Sequence, residues 1–178
     1  MSEAPRQAKK IRAYIALCPQ SLRDKTWEGA LVTVVDKAWC AAAGFPAPSE
    51  LHGEDREVAE DEALHAAALK SLDAQTESSQ PLRVVAVAEV ADTDLQPCRP
   101  EMAGGYILTR PIQYSEVVSY HVDEPAAGAE VAKLAQLRAG QAASAEQTGK
   151  FPQDLELPEL LWFDGSELEV LREFLGLS

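Results

Sequence analysis

The run His121-Val122-Asp123-Glu124 has the residue types and the spacing in this sequence that best suit chemistry. Side chains alternate between the two faces of a strand, so His121 and Asp123 are predicted to share a face. A histidine beside a carboxylate can act as a general base or bind a divalent metal. We therefore take His121, Asp123 and Glu124 as candidate catalytic residues, although a hydrogen-bonded structural histidine is the simpler interpretation.

A second pair, Glu62 and His65, has the i, i+3 spacing that places two metal ligands on one helix face. Carboxylate-bridged metal bundles need this motif twice, with further glutamates from other helices, and here it occurs once. His65 also falls within the apolar face of its predicted helix, where a core histidine is expected. The candidate metal ligands are Glu62, His65, His121 and Asp123, and no bound metal or cofactor is predicted.

Nucleophilic and phosphate-binding motifs are missing from the sequence. Cys18, Cys40 and Cys98 form no C-x-x-C pair and lie beside no histidine, so ordinary reduced thiols are expected. No G-x-S-x-G elbow occurs. Gly104-Gly105 precedes a predicted strand, whereas a phosphate loop precedes a helix. No complete catalytic set follows from the sequence.

The formal net charge of −13 is the strongest global signal. Such a charge opposes unaided binding to nucleic acid or to anionic membranes, and it favours a protein partner with a basic surface. Five carboxylates at the start of a predicted helix are the candidate partner-binding residues, although a solvated helix start is the simpler explanation. They are Glu54, Asp55, Glu57, Glu60 and Asp61.

These residues must be positioned by a sheet built around the stretch 83–90, Arg-Val-Val-Ala-Val-Ala-Glu-Val. Its nearly continuous apolar pattern predicts a strand covered on both faces. Further strands are predicted at 11–17, 30–33, 104–109, 116–122 and 160–163, and helices at 34–43, 54–76, 125–140 and from 166 onward. The expected fold class is α/β, with α+β as the alternative, in one mixed sheet of about five to six strands with packed helices.

The pattern also predicts how some of these elements pack. The helix 54–76 should bury Val58, His65, Ala68, Leu69 and Leu72, and the strands 104–109 and 116–122 should pair with each other. Ser166 and Glu169 have the spacing of a capping box. Residues 1–10 are predicted to form a basic flexible tail, followed by a single domain over 11–178 with a mobile linker near 140–154.

Several segments together resemble a small family of uncharacterised actinobacterial proteins. The segments are Arg12-Ala-Tyr14, Val32-Thr33-x-x-x-Lys37-x-Trp39-x-Ala41, Ser71-Leu72, Arg83-Val-Val, Val117-x-Ser119-x-His121-Val122-Asp123 and Glu159-Leu-Leu-Trp162-Phe163. This chain differs at Val34 and Val35, where members usually have proline and alanine, and at Cys40, where they have tyrosine. The resemblance implies a single domain and carries no assigned activity or site residue.

The sequence leads to a functional hypothesis and two alternatives. The hypothesis is a non-enzymatic, acidic cytoplasmic protein that acts by binding a protein, because no spanning helix, signal-peptide core or complete catalytic set is found. The first alternative is a small-molecule or metal-dependent enzyme centred on His121, Asp123 and Glu124. The second is a mimic of nucleic acid, whose carboxylates would stand in for phosphates. The sequence leaves the oligomeric state open.

Overall fold

The computed structural model describes residues 7–24, 26–73, 75, 80–99, 101–148 and 158–177, with the backbone alone for 141–148. The strands are β1 (Lys10–Leu17), β2 (Thr26–Trp27), β3 (Leu31–Thr33), β4 (Val84–Ala91), β5 (Leu95–Pro97), β6 (Gly105–Leu108), β7 (Ile112–Gln113), β8 (Val117–Val122) and β9 (Leu161–Asp164). The helices are α1 (Lys37–Ala43), α2 (Gly53–Asp73), α3 (Gly128–Thr148) and α4 (Leu168–Phe174), with short 3-10 turns between elements.

Seven strands form one sheet in the order β5-β6-β3-β1-β4-β8-β9, and β2 pairs with β7 in a separate two-stranded ribbon. The mixed fold of helices and sheet confirms the expected class. Each described pairing in the sheet is antiparallel, so the prediction of a single mixed sheet of about five to six strands is wrong in strand direction and in strand number. The additional strand is β5, whose three residues are too short to give a periodic signal.

The strands β6 and β8 do not pair with each other, contrary to the sequence prediction. β6 lies between β3 and β5, whereas β8 lies between β4 and β9. The chain between them adds β7 to β2, with Thr26 opposite Gln113 and Trp27 opposite Ile112. Because the connection forms β7 in the separate ribbon, β6 and β8 lie apart in the sheet although they are close in sequence.

The strand β4 is covered on both faces, as its apolar run predicts. Val84, Ala86, Ala88 and Val90 join one core cluster, together with Ala13, Ile15 and Leu17 of β1. Val85 and Val87 point the other way and pack with Tyr14 and alanines of α2. The strict alternation along an extended chain therefore divides β4 between two cores.

The buried face of α2 agrees with the prediction at Ala68 and Leu72 and differs from it at Val58 and His65. It consists of Ala59, Ala63, Ala67, Ala68, Ser71 and Leu72. Val58 and His65 are exposed, so the prediction of a core histidine at position 65 is wrong. The predicted face followed the larger side chains of the helix. The buried face is instead rich in alanine, because small side chains let the helix backbone lie close to the sheet.

The ends of the domain also differ from the prediction. β1 begins at Lys10, and the Lys9 main chain exchanges two hydrogen bonds with Asp92 at 2.9 and 3.1 Å, so the sheet starts within the predicted tail. α3 continues through Gly140 to Thr148, where a linker was predicted. Alanine has the strongest intrinsic helix propensity, which offsets the cost of the glycine. The remaining linker positions, 149–154, and the tail positions 1–6 lie outside the described residues.

The capping box before α4 is shifted by two residues from the predicted pair. The Asp164 carboxylate accepts a hydrogen bond from the Ser166 amide at 2.9 Å, and Glu167 accepts from the Asp164 amide at 2.8 Å. The box therefore closes a 3-10 turn at Gly165–Glu167, and α4 begins only at Leu168. Leu168 and Leu171 are buried, whereas Phe174 of the same helix is 39% exposed.

No helix in the described part of the chain is long and apolar enough to cross a membrane.

Candidate functional site

Asp123, the predicted partner of His121, instead binds Arg83. Both side chains are fully buried, with 0% of each exposed. The Arg83 guanidinium donates to both Asp123 oxygens over 2.6–3.1 Å, and the Arg83 amide donates to Asp123 Oδ2 at 2.6 Å. Arg83 Nη2 also donates to the Pro158 carbonyl at 2.6 Å. The pair fastens β4 to β8 and holds the chain that leads into β9.

The sequence contained a signal for this pair. Val84 lies opposite Val122 in the antiparallel register of β4 and β8. Arg83 directly precedes Val84 and Asp123 directly follows Val122, so the two charges meet at the end of the ladder. A prediction that β4 and β8 are neighbours would have placed them together.

His121 lies apart from the predicted carboxylates. Its Nε2 is 3.1 Å from the Ser119 hydroxyl, and burial lowers the pKa of the imidazole below its ordinary value. Glu124 is exposed in the turn that leads to α3. The structure therefore does not bring His121, Asp123 and Glu124 together as an acid–base set.

Glu62 and His65 lie on the exposed side of α2. His65 Nδ1 is 2.8 Å from the Asp61 carbonyl and 3.4 Å from the Asp61 carboxylate. Within the residues that the structure describes, no three His, Cys, Asp or Glu side chains are grouped to hold a metal ion. The four candidate metal ligands therefore form no such group, although His65 is close enough to His121 to interact with it electrostatically.

A cleft of about 450 Å³ at the end of β1 contains Cys18, Ser21, Asp24 and Lys70 among its lining residues. Cys18 Sγ is 3.1 Å from Ser21 Oγ, and Lys70 donates to Thr33 Oγ1 at 2.9 Å. None of the three histidines of the chain lines this cleft. A thiol needs an adjacent base or cation to become a strong nucleophile, and the hydroxyl of Ser21 supplies neither.

The predicted partner-binding carboxylates of α2 are only partly available. Glu54, Asp55 and Glu57 are exposed. Glu60 is half-buried and accepts hydrogen bonds from two arginines, and Asp61 lies against His65. The start of the helix is therefore acidic, but two of its five carboxylates already contact basic side chains.

The strand β9 forms one edge of the sheet and exposes apolar side chains on both of its sides. In the described part of the chain it pairs with β8 alone. Trp162 lies opposite His121 and is 60% exposed. Leu161 points to the other side, where α4 lies against β9 through the Phe163 and Phe174 rings, 5.5 Å apart.

We call this region the β9 edge surface. It comprises the apolar side chains of Leu161, Trp162, Val170 and Phe174, which are 37–60% exposed, and the exposed carboxylates of Glu159, Asp164, Glu169 and Glu173. The nearby Arg172 turns inward, where it donates to the Leu22 carbonyl at 2.6 Å. The surface is therefore apolar at its centre and acidic around it.

Sequence reasoning missed this surface. The stretch Leu160-Leu-Trp-Phe163 predicts a strand, and the large apolar residues suggest a buried one. Only the sheet order shows that the strand is at an edge.

Comparison with known proteins gives one match. A family model described as a family of unknown function (DUF6912) matches residues 11–171. The search of curated proteins and the search of solved structures found no match.

Proposed function

The chain belongs to the DUF6912 family of unknown function, and we propose that it is a cytoplasmic, non-enzymatic protein that binds a basic extended segment of a partner protein along β9. The exposed edge strand with apolar side chains on both sides is the observation that carries this proposal. The partner segment adds to β9 as a further antiparallel or parallel strand.

An unpaired edge strand presents a row of N–H and C=O groups to which another strand can bind. The N–H and C=O groups of β9 that face β8 pair with that strand, with His121 opposite Trp162 and Val122 opposite Leu161. Main-chain hydrogen bonds supply affinity in this mode of binding, and contacts to alternate side chains supply specificity. Trp162 on one side and Leu161 on the other give such contacts.

The chemistry of the partner follows from the charge around β9. Glu159 precedes β9, Asp164 is its last residue, and Glu169 and Glu173 lie one helical turn apart on α4. Glu169 is 2.5 Å from Arg172, while the other three form no ion pair among the described residues. A segment with lysines or arginines between apolar residues complements this surface, and the net charge of −13 speeds its approach.

The predicted role of α2 fits the same interaction. His121 lies across from Trp162, and its imidazole is close enough to Asp61 and His65 to be affected by both. Asp61 is thus near the Trp162 side of the β9 edge surface. Glu54, Asp55 and Glu57 remain proposed contacts for a longer basic partner.

A peptide titration tests the proposal. The probe is a fluorescein-labelled peptide of about eight residues that alternates lysine and valine, long enough to cover an edge strand. Two control peptides match it in length: one alternates glutamate and valine, and one carries N-methyl groups on alternate amides of the lysine peptide. Fluorescence anisotropy should show saturable binding of the lysine peptide and binding about ten-fold weaker or worse for both controls.

The controls separate the parts of the proposal. Equal binding of the N-methylated peptide would show attraction between charges without strand pairing, and the proposal would be wrong. Absence of saturable binding by the lysine peptide at low salt would also contradict it.

A further inference from the structure

A second cleft, distinct from the β9 edge surface, collects positive charge in this acidic protein. Its volume is about 490 Å³, which is within the range of small-molecule sites. It lies between the first half of β1, the connection from β3 to α1, and the first half of α2. The cations that line it are Lys9, Lys10, Arg12, Lys37 and Arg56.

The cleft has an excess of positive charge. Five cations face two carboxylates there, while the whole chain has a net charge of −13. One carboxylate, Asp36, is already used, since it accepts from the Trp39 amide at 2.7 Å and from the Tyr106 hydroxyl at 2.6 Å. The Debye length is about 8 Å at physiological salt, so an anion in the cleft responds mainly to these nearby cations.

The other carboxylate, Glu60, holds two arginines in place. Arg12 donates to Glu60 Oε2 and Arg56 donates to Glu60 Oε1, both at 2.9 Å. A guanidinium has five N–H donors, so each arginine keeps donors for a ligand. Because Glu60 fixes both groups, a ligand need not order them, which lowers the entropic cost of binding.

Three lysines add positive charge to the cleft. Lys9, Lys10 and Lys37 are exposed and form no ion pair with any other described residue. Lys10 and Arg12 share a face of β1 because side chains alternate along the strand. The basic residues near the start of the sequence are therefore part of a wall of the cleft and not only a solvated tail.

Apolar groups complete the walls. Val35, Pro48 and Leu51 line the same cleft, on the side of the sheet to which Arg12 and Tyr14 point. Tyr14, also in the lining, keeps its proton because burial raises the pKa of its hydroxyl, with Glu60 adding to the effect. A ligand thus meets charged donors together with an apolar surface.

We propose that this cleft binds a small organic phosphate, whose phosphate group contacts Arg12, Arg56 and the lysines and whose organic part packs on the apolar wall. Guanidinium groups match phosphate oxygens in geometry and charge. A mononucleotide or a sugar phosphate would be ligands of this class. A nucleic-acid strand is a poorer fit, because the acidic surface outside the cleft would repel its remaining phosphates.

Isothermal titration with phenyl phosphate and with inorganic phosphate tests the proposal on the full chain. Phenyl phosphate should bind about ten-fold more tightly than inorganic phosphate, because it adds apolar contact. Arg56→Gln should weaken the binding of phenyl phosphate about ten-fold or more. The Arg56 side chain is 59% exposed, so this variant should fold normally.

The matched control is Lys133→Gln, which removes the same charge from an exposed position on α3. It should leave the affinity within about two-fold, because the removed charge is not in the cleft. Equal weakening by the two variants would mean that only the net charge matters, and the proposal would fail. Equal affinity for the two phosphates, or tighter binding of a thymidine oligomer than of phenyl phosphate, would also overturn it.

Discussion

The two edges of the seven-stranded sheet differ in how they meet solvent. β5 has three residues and ends at Pro97, which has no N–H to donate, and its exposed central residue is the polar Gln96. β9 contains no proline and exposes Leu161 and Trp162. Proline is a common way in which proteins block an edge strand, and length does not separate the two edges, since β9 has four residues. Among the described residues, the fold thus blocks the β5 edge with proline, whereas β9 pairs with no strand beyond β8.

The largest predicted effect concerns the buried Arg83–Asp123 ion pair, which holds the chain that leads into β9. Asp123→Ala should lower the free energy of unfolding by about 3–5 kcal/mol, because Arg83 would remain as a buried charge without its carboxylate. It should also loosen the entry to β9, since Arg83 holds the Pro158 carbonyl. Urea denaturation measures the change. The neighbouring Glu124→Ala, at an exposed position, should change stability by no more than about 0.5 kcal/mol.

A loss below about 1 kcal/mol for Asp123→Ala would mean that the buried pair does not anchor this end of the sheet.

The next effect contrasts the two edges directly. Trp162→Lys at β9 should lower the affinity for the lysine–valine peptide about thirty-fold or more. The substitution removes a large apolar contact and adds a charge that repels the lysines of the peptide. Gln96→Lys at β5 makes the same addition of charge at the other edge and should change the affinity by less than about two-fold. Anisotropy titrations of both variants measure the difference. Similar losses in the two variants would remove the distinction between the edges.

A smaller effect comes from the carboxylates on α4. The double variant Glu169→Gln, Glu173→Gln should slow peptide association several-fold at low salt and change dissociation little, because exposed charges act mainly on the rate of encounter. Stopped-flow kinetics at two salt concentrations measures both rates. If the wild-type and variant association rates were equal at low salt, the acidic rim would have no role in choosing the partner.

The smallest effect is a pH dependence at His121. Burial lowers the pKa of the folded imidazole below the ordinary 6.5, so the unfolded chain takes up this proton first. The contribution to stability is complete above pH 6.5 and is lost as the pH falls from there through the folded pKa. His121→Gln should remove this part of the pH dependence, seen as a flatter plot of unfolding free energy against pH. An unchanged slope in the variant would assign the dependence to other groups.

Much of the fold could be predicted from the sequence because burial leaves a periodic signal. The run at 83–90 predicts β4 and its two covered faces, and the stretch 11–17 predicts β1. β5 was missed because three residues carry no period. The buried face of α2 was misplaced because alanines carry little weight in a hydrophobicity pattern but pack closest to the sheet.

The candidate sites were harder to predict because they depend on which strands are neighbours. His121 and Asp123 suggested a pair by local alternation, but Asp123 meets Arg83 across the β4–β8 ladder. Leu161 and Trp162 resemble core residues until β9 is known to be an edge. Arg12 and Arg56 are far apart in sequence, and only the packing of α2 on β1 brings them to Glu60.

The measurement that tests the β9 edge most directly is acrylamide quenching of tryptophan fluorescence with and without the lysine–valine peptide. Trp27 and Trp39 are 4% and 7% exposed, whereas Trp162 is 60% exposed, so quenching reports mainly on Trp162. If the peptide pairs with β9, it should reduce quenching and shift the emission to shorter wavelength. Unchanged quenching at saturating peptide would place the peptide elsewhere and contradict the proposed function.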